Sequence, residues 1–223
     1  MKNLYHDSPY LTEKETKVLS VFKNSGKNYV QLEDNIFYPR GGGQKGDKGL
    51  LIHGKSTVKV VDSVKSPQSD EEVLLITETE APNEWVGKKI LAKLDEIFRK
   101  KQMRLHSMVH LHHFFMEQAI GQKLPYPKTS DILDGFAFNR YESEEITEEI
   151  ALKAGELLKE AIKKGAPVKT YADDSRKGFR FWECFGWKVP CGGTHIENIS
   201  EIGDFSLRFS KKKGMPTINL EIK

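Results

Sequence analysis

The spacing of apolar positions changes once along the chain. In the first ninety or so residues, short runs such as KNYVQLE, GLLIHG, STVKVVDSV and EVLLITETE are β-branched or alternate apolar with polar. Gly, Pro, Asn or Asp often stands between them. A strand sends successive side chains to opposite faces, so these runs read as short, half-buried strands. Their spacing predicts a small barrel or a sandwich. At Leu94-Asp95 the period lengthens. Asp95 can cap a helix, and LDEIFRKKQMRLHSMVHLHHFFMEQAIG is rich in helix formers, has no Pro and ends at Gly121. Ile97, Met103, Met108, Leu111 and Phe115 fall near helical spacing within it. LPYPKTS then reads as a loop and DILDGFAFNRYE as a strand or hairpin turning at Asp134-Gly135. ITEEIALKAGELLKEAIKKG is a second amphipathic helix, stopped by Gly165 and Pro167. VKTYADD predicts one more strand, and DFSLRFSKKKGMPTINLEI two. The expectation is an α+β chain with a β-rich domain over 1–92 and a mixed domain over 93–223.

Composition narrows the class. Of 223 residues, 38% are hydrophobic and 30% charged, which suits a folded, soluble protein. No apolar run is long enough to span a bilayer, and MKNLYHDSPYLTEKE lacks the apolar stretch of a signal peptide. A cytoplasmic location is expected. Cys184 and Cys191, the two cysteines, cannot build a disulfide framework. The net charge of +3, from 35 basic and 32 acidic residues, does not by itself mark a nucleic-acid binder. Basic residues cluster at Arg99-Lys100-Lys101 with Arg104, at Arg176-Lys177 with Arg180, and at Lys211-Lys212-Lys213. Each is ordinary as a solvated surface; together they favour a phosphate-bearing substrate.

Candidate chemistry starts with His106 and His110. Four apart on a helix, they share a face one turn apart and can reach the same ion. Position 107 is Ser, so this is not the H-E-x-x-H of a metalloprotease. Cys191-Gly-Gly-Thr-His195 offers a thiolate and an imidazole across a glycine turn. Taken together these are four N and S donors, the usual complement for zinc. The plain alternative is a chance His pair and a buried Cys beside a turn. His113 could stand in for His106, and Cys184, among four aromatics in FRFWECFGW, reads as a core thiol.

Two nucleotide motifs fail on context. Gly41, Gly43 and Gly46 match G-x-G-x-x-G, and Gly49 to Ser56 matches the phosphate-loop pattern, but strand and not helix should follow each. No nucleotide cofactor is expected. The glycine-rich segment FYPRGGGQKGDKG still carries an amide side chain, Gln44, where backbone can approach a ligand closely.

RKKQMRLHSMVHLHHFF, FYPRGGGQKGDKG, ILDGFAFN and PCGGTHIENISEIGDFSL together resemble the editing domain of alanyl-tRNA synthetase and its free-standing relatives, the AlaX editing proteins. The resemblance covers nearly the whole chain and is nearest the medium-length members. The chain is too short for an aminoacylation core. The resemblance implies an N-terminal β-barrel domain carrying the glycine-rich motif and a C-terminal mixed α/β editing domain with a zinc site. It implies hydrolysis of alanine-specific tRNA, tRNA(Ala), wrongly charged with serine or glycine. Zinc (Zn2+) would be held by His106, His110, Cys191 and His195, with Gln44 near the editing pocket and the barrel helping to hold the tRNA. Ser107 stands where the family usually has Thr, and His112 where it often has Leu. Catalytic roles fall to Gln44, Ser107 and Thr194, any of which could bond the serine hydroxyl that alanine lacks. Two other classes fit the same donors: a zinc-stabilised tRNA-binding module without catalysis, and a zinc hydrolase of small aminoacyl esters.

Overall fold

Strands with one apolar face can escape exposed edges by closing on themselves. The computed structural model, which describes residues 1–223, has that arrangement within an α+β fold. Its packing forms two units, Met1–Gly41 with Lys45–Arg99, and Gly42–Gln44 with Lys100–Lys223. No helix is long and apolar enough to cross a membrane.

The first unit holds a short parallel pair, β1 (Lys2–Asn3) with β4 (Asp34–Asn35), and a closed barrel. The barrel strands are β2 (Glu13–Asn24), β3 (Lys27–Leu32), β5 (Gly49–His53), β6 (Ser56–Ser66), β7 (Ser69–Thr77) and β8 (Lys89–Leu94). They close in the order β2-β3-β7-β6-β5-β8, every neighbour antiparallel. A barrel is therefore formed where the pattern also allowed a sandwich. Val18, Val30, Leu32, Leu51, Val60 and Leu75 fill its interior. β7 ends in a continuous buried run, Val73 to Thr77, whereas in β2, EKETKVLSVFKN, Thr16 and Val18 point inward between exposed neighbours and, of the two, only Val18 is apolar. That strand went unread. The phosphate-loop look-alike is a hairpin: Gly49–His53 pairs with Ser56–Ser66, His53 opposite Ser56.

A buried ion pair lies in this unit. Asp47 and Arg99 are both 1% exposed, and Arg99 Nε donates to Asp47 Oδ1 and Oδ2 at 3.0 Å. Arg99 also donates to the carbonyls of Pro9 and Ile36 at 2.8 Å. Arg99 was expected among surface charges; it is instead enclosed, with its donors consumed by internal acceptors.

The second unit begins in the long helix. α1 (Glu96–Ile120) starts where Asp95 Oδ1 accepts from Phe98 N–H at 3.0 Å, a side-chain N-cap. Met103, Leu105, Met108 and Leu111 are fully buried along it, whereas Ile97 is 72% exposed and lies off that stripe. Hairpin β9 (Thr129–Ile132)–β10 (Phe136–Arg140) turns through Gly135. It joins the terminal hairpin β14 (Phe205–Lys212)–β15 (Met215–Ile222) in the sheet order β14-β15-β10-β9. Lys213 and Gly214, both at positive φ, give the last hairpin its tight turn. A second sheet takes β11 (Lys169–Ala172), β12 (Arg180–Cys184) and β13 (Trp187–Pro190), so FRFWECFGW is two strands and a turn.

α2 (Glu148–Lys164) is capped by Thr147, whose hydroxyl accepts from Ile150 N–H, and ends at Gly165. Its buried face, Ala151, Ala154, Gly155, Leu158 and Ile162, starts with small residues. They leave room for a polar tie: His112 Nε2 donates to the Ala151 carbonyl at 3.0 Å. His112, which could have pointed to solvent, is 1% exposed, and burial takes its pKa down to about 4.

Candidate metal centre

The donors come from one helix and one loop. His106 and His110 lie one turn apart on α1, their rings 5.0 Å apart at 26°. Cys191 follows β13 directly, and its N–H donates to the Arg180 carbonyl at 3.0 Å, which pins it at the sheet's end. The chain then bends through Gly192-Gly193 to His195. A methyl group at Gly193 would overlap the His106 ring and the Gln44 carbonyl oxygen, so only glycine lets the backbone pass here. Past His195, Asn198 caps a short 3-10 turn, Ile199–Ile202, in a capping box with Glu201. Arg104 of α1 donates from Nε to the Ile202 carbonyl at 2.9 Å. That arginine, expected at the surface with its basic neighbours, ties the loop to the helix that carries His106.

Cys191 Sγ lies 3.4 Å from Nε2 of His106, 3.4 Å from Nε2 of His110 and 3.2 Å from Nε2 of His195. The four donor atoms all fall within 4.8 Å of one another. Donors ~2.0–2.3 Å from one tetrahedral centre stand roughly 3.3–3.8 Å apart, so the sulfur–nitrogen spacings suit zinc. The far side of two rings is held as well. His106 Nδ1 meets Gln44 Oε1 at 2.9 Å, and His195 Nδ1 meets Ser107 Oγ at 3.0 Å. A carbonyl oxygen only accepts, so Nδ1 of His106 carries the proton and its Nε2 lone pair is free to ligate. Gln44 Oε1 also accepts from Thr194 N–H at 3.0 Å, and its Nε2 donates to Thr194 Oγ1 at 2.8 Å.

The electrostatics agree with that chemistry. Burial holds His106 well below the usual imidazole range, with neighbouring His110 adding to the effect. Burial takes His110 down to about 4. Both rings are thus neutral near pH 7, as ligands must be. Burial pushes the Cys191 thiol up to about 11, a cost that a cation among the donors would reverse. Trp182 packs against the rings of His110 at 5.2 Å and His195 at 5.9 Å.

A cavity of about 320 Å³ opens beside the cluster. His106, Val109, His110 and His113 of α1 form one wall, and Tyr126, Ser130, Ile132, Asn139, Trp187 and Val189 are among the rest. Gly42 reaches it from the glycine-rich segment. Next to it, Gly43, at φ +85°, passes so close that an added Cβ would lie 2.7 Å from the Ser130 carbonyl oxygen. Gln44, Ser107 and Thr194 are buried and are not among the cavity's lining residues. Their polar atoms bond to the ligand rings or to each other.

His113 stands outside the cluster and does not replace His106. Its Nδ1 is 3.0 Å from Tyr141 Oη, and its Nε2 is 3.6 Å from Glu117 Oε1. Cys184 is a buried thiol with no part in the cluster. Tyr126, Ser130, Asn139 and Trp187 were missed as cavity residues. They come from a loop and three different strands, and no spacing in the chain links them.

No family model matches the chain. A Pyrococcus horikoshii protein described as alanyl-tRNA editing protein AlaX-M is 30% identical over 213 residues, covering 91% of this chain and 88% of that protein. The alanine–tRNA ligase of Rubrobacter xylanophilus is 27% identical over 228 residues, 93% of this chain and 26% of the ligase. That of Ignicoccus hospitalis is 24% identical over 230 residues, 95% of this chain and 24% of the ligase. The chain therefore spans about a quarter of the length of these ligases.

Proposed function

Because the chain belongs to the alanyl-tRNA editing proteins, we propose that it is a trans-editing hydrolase that deacylates tRNA(Ala) mischarged with serine. Glycine is the second candidate acyl group. Zinc is the proposed cofactor, and His106, His110, Cys191 and His195 are its proposed ligands. The observation that carries this reading is the convergence of those donors within 4.8 Å at the wall of a cavity of about 320 Å³.

An aminoacyl ester is an activated acyl group. Hydrolysis needs a positioned water and help for the negative charge that builds on the carbonyl oxygen. A zinc ion in this site would supply Lewis-acid assistance to that chemistry. The chain's own residues do the positioning. His106 and His110 line the cavity as well as the cluster, so the acyl group would enter beside the donors. Gln44 fixes the tautomer of His106 and fastens Thr194 in the loop between Cys191 and His195. Ser107 orients His195. Val109, Ile132 and Val189 keep the cavity wall apolar and limit bulk water.

Rejection of alanine follows from hydrogen bonding. A buried group that bonds the serine hydroxyl is left unpaired by alanine. Ser130 and Asn139 bring polar atoms to the cavity wall, while Ser107 is already bonded to His195. Ser130 and Asn139 already bond to each other, and Asn139 donates to the Val109 carbonyl and Tyr141 Oη. They are the proposed partners of the hydroxyl only through the acceptor capacity those bonds leave on the Ser130 hydroxyl and the Asn139 carbonyl.

Substitution of Cys191 tests the reading. The variant Cys191→Ala is expected to lose most bound zinc and to hydrolyse seryl-tRNA(Ala) at least tenfold more slowly. Full zinc content in that variant would refute the ligand set. Wild-type protein that binds zinc and tRNA without deacylation would be a binding module. Cleavage of small aminoacyl esters without salt-dependent tRNA binding would mark a small-ester hydrolase.

A further inference from the structure

The cavity is larger than a seryl group requires. At about 30 Å³ per non-hydrogen atom, the loose density of liquid water, the six atoms of a seryl acyl group occupy roughly 180 Å³. The space present is about 320 Å³, so roughly 140 Å³ is left. That is less than the ten atoms of a purine base would fill, so a base has to stand at the mouth of the cavity. The remainder lies in a definite direction. His106, His110 and His113 all line the cavity, and at about 1.5 Å of rise per residue His113 lies roughly 10 Å along α1 from His106. The cavity thus runs from the metal cluster to a second, aromatic end. There Tyr126 stacks on the His113 ring at 5.7 Å and 17°, and Trp187 lies 5.8 Å from the same ring. Pro127, next to Tyr126 in the chain, also lines the cavity. His113 Nδ1 is hydrogen-bonded to Tyr141 Oη, while its Nε2 lies 3.6 Å from Glu117 Oε1 without a hydrogen bond. Tyr126 is 65% exposed, so a large aromatic ring stands at the opening, stacked on the buried His113.

We infer that this aromatic end seats the adenine of the tRNA's terminal nucleoside, with Tyr126 as its stacking platform. The inference rests on the editing function proposed above. In the ester substrate the alcohol is the ribose of that nucleoside, so the base must follow wherever the acyl group goes. With the acyl group beside His106 and His110, ribose and base extend along the helix toward His113. Stacking needs only the π-face of a base and suits an apolar, aromatic wall with few free polar atoms. Tyr126 is a positioning residue here: it orients the ester and touches none of the reacting atoms.

The probe is uncharged tRNA(Ala) carrying 2-aminopurine in place of its terminal adenine, whose fluorescence falls when the base stacks. Wild-type protein is expected to quench it on binding. Tyr126→Ala should abolish the quench and weaken binding about tenfold or more, while Tyr126→Phe keeps both. In deacylation, Tyr126→Ala should raise KM for seryl-tRNA(Ala) more than it lowers kcat, with zinc content unchanged. Seryl-tRNA deacylation by wild type without quenching, or equal quenching by Tyr126→Ala, would overturn the inference and leave the editing function standing. Quenching that depends on Tyr126 without any deacylation would sustain the base site and refute the editing reading. Absence of tRNA binding would refute both.

Discussion

Gln44 does more with one side chain than any other residue near the cluster. Its carbonyl oxygen faces both His106 Nδ1 and Thr194 N–H, and its amide donates to Thr194 Oγ1. Gln44→Ala would leave three buried groups without these partners, while His106 and the backbone at Gly193 stay in place. Loss of such a supporting contact typically costs 10–100-fold in metal affinity or activity. Zinc competition titration of Gln44→Ala should show a loss of about that size, and an unchanged affinity would contradict the role assigned to the amide. The donors themselves were legible in the sequence, because helical spacing joins His106 to His110 and a glycine turn joins Cys191 to His195. What Gln44, Ser107 and Thr194 do was not legible. Gln44 and Thr194 are 150 residues apart, and no periodicity predicts that they meet. The fate of Arg99 was hidden for a similar reason: a run of basic residues looks solvated until a distant carboxylate, Asp47, is brought to it.

That pair sets the expected weak point of the barrel unit. β5, β6 and their neighbours close a ring of strands, and Arg99, in the first turns of α1, bonds Asp47 and the Pro9 and Ile36 carbonyls within the same unit. Breaking a buried pair from one side leaves an uncompensated charge. Arg99→Met should therefore cost about 3–5 kcal/mol in chemical denaturation. The double variant Arg99→Met with Asp47→Leu should recover much of it, and a single variant within 1 kcal/mol or so of wild type would show that the pair contributes little. Both long helices were readable from boundary residues and apolar stripes, since Asp95 and Gly165 act where their chemistry places them, whereas the Thr147 cap of α2 emerged only from the structure. β2 was not readable, because of its alternating inward positions, Thr16 and Val18, only Val18 is apolar. Composition alone could not separate barrel from sandwich, since both use short alternating strands and differ only in which strands pair.

Across the whole molecule, a formal charge near neutrality hides what the basic clusters do. Arg99 and Arg104 are spent on internal acceptors and Arg176 pairs with Asp173, whereas Lys211, Lys212 and Lys213 remain on the surface. On the proposed function, recognition of a phosphate-bearing substrate would draw on fewer groups than the sequence offers, and the chemistry would rest on the cavity beside the four donors. The decisive experiment compares hydrolysis of seryl-tRNA(Ala) and alanyl-tRNA(Ala) by the zinc-loaded protein, then repeats it after verified metal removal. Zinc-loaded protein should release serine at least roughly 10- to 100-fold faster than alanine, the discrimination expected when a buried hydrogen-bond partner is left empty. Removal of zinc should abolish the serine reaction, and added zinc should restore it. Equal release of alanine, or undiminished serine release from metal-free protein, would contradict it.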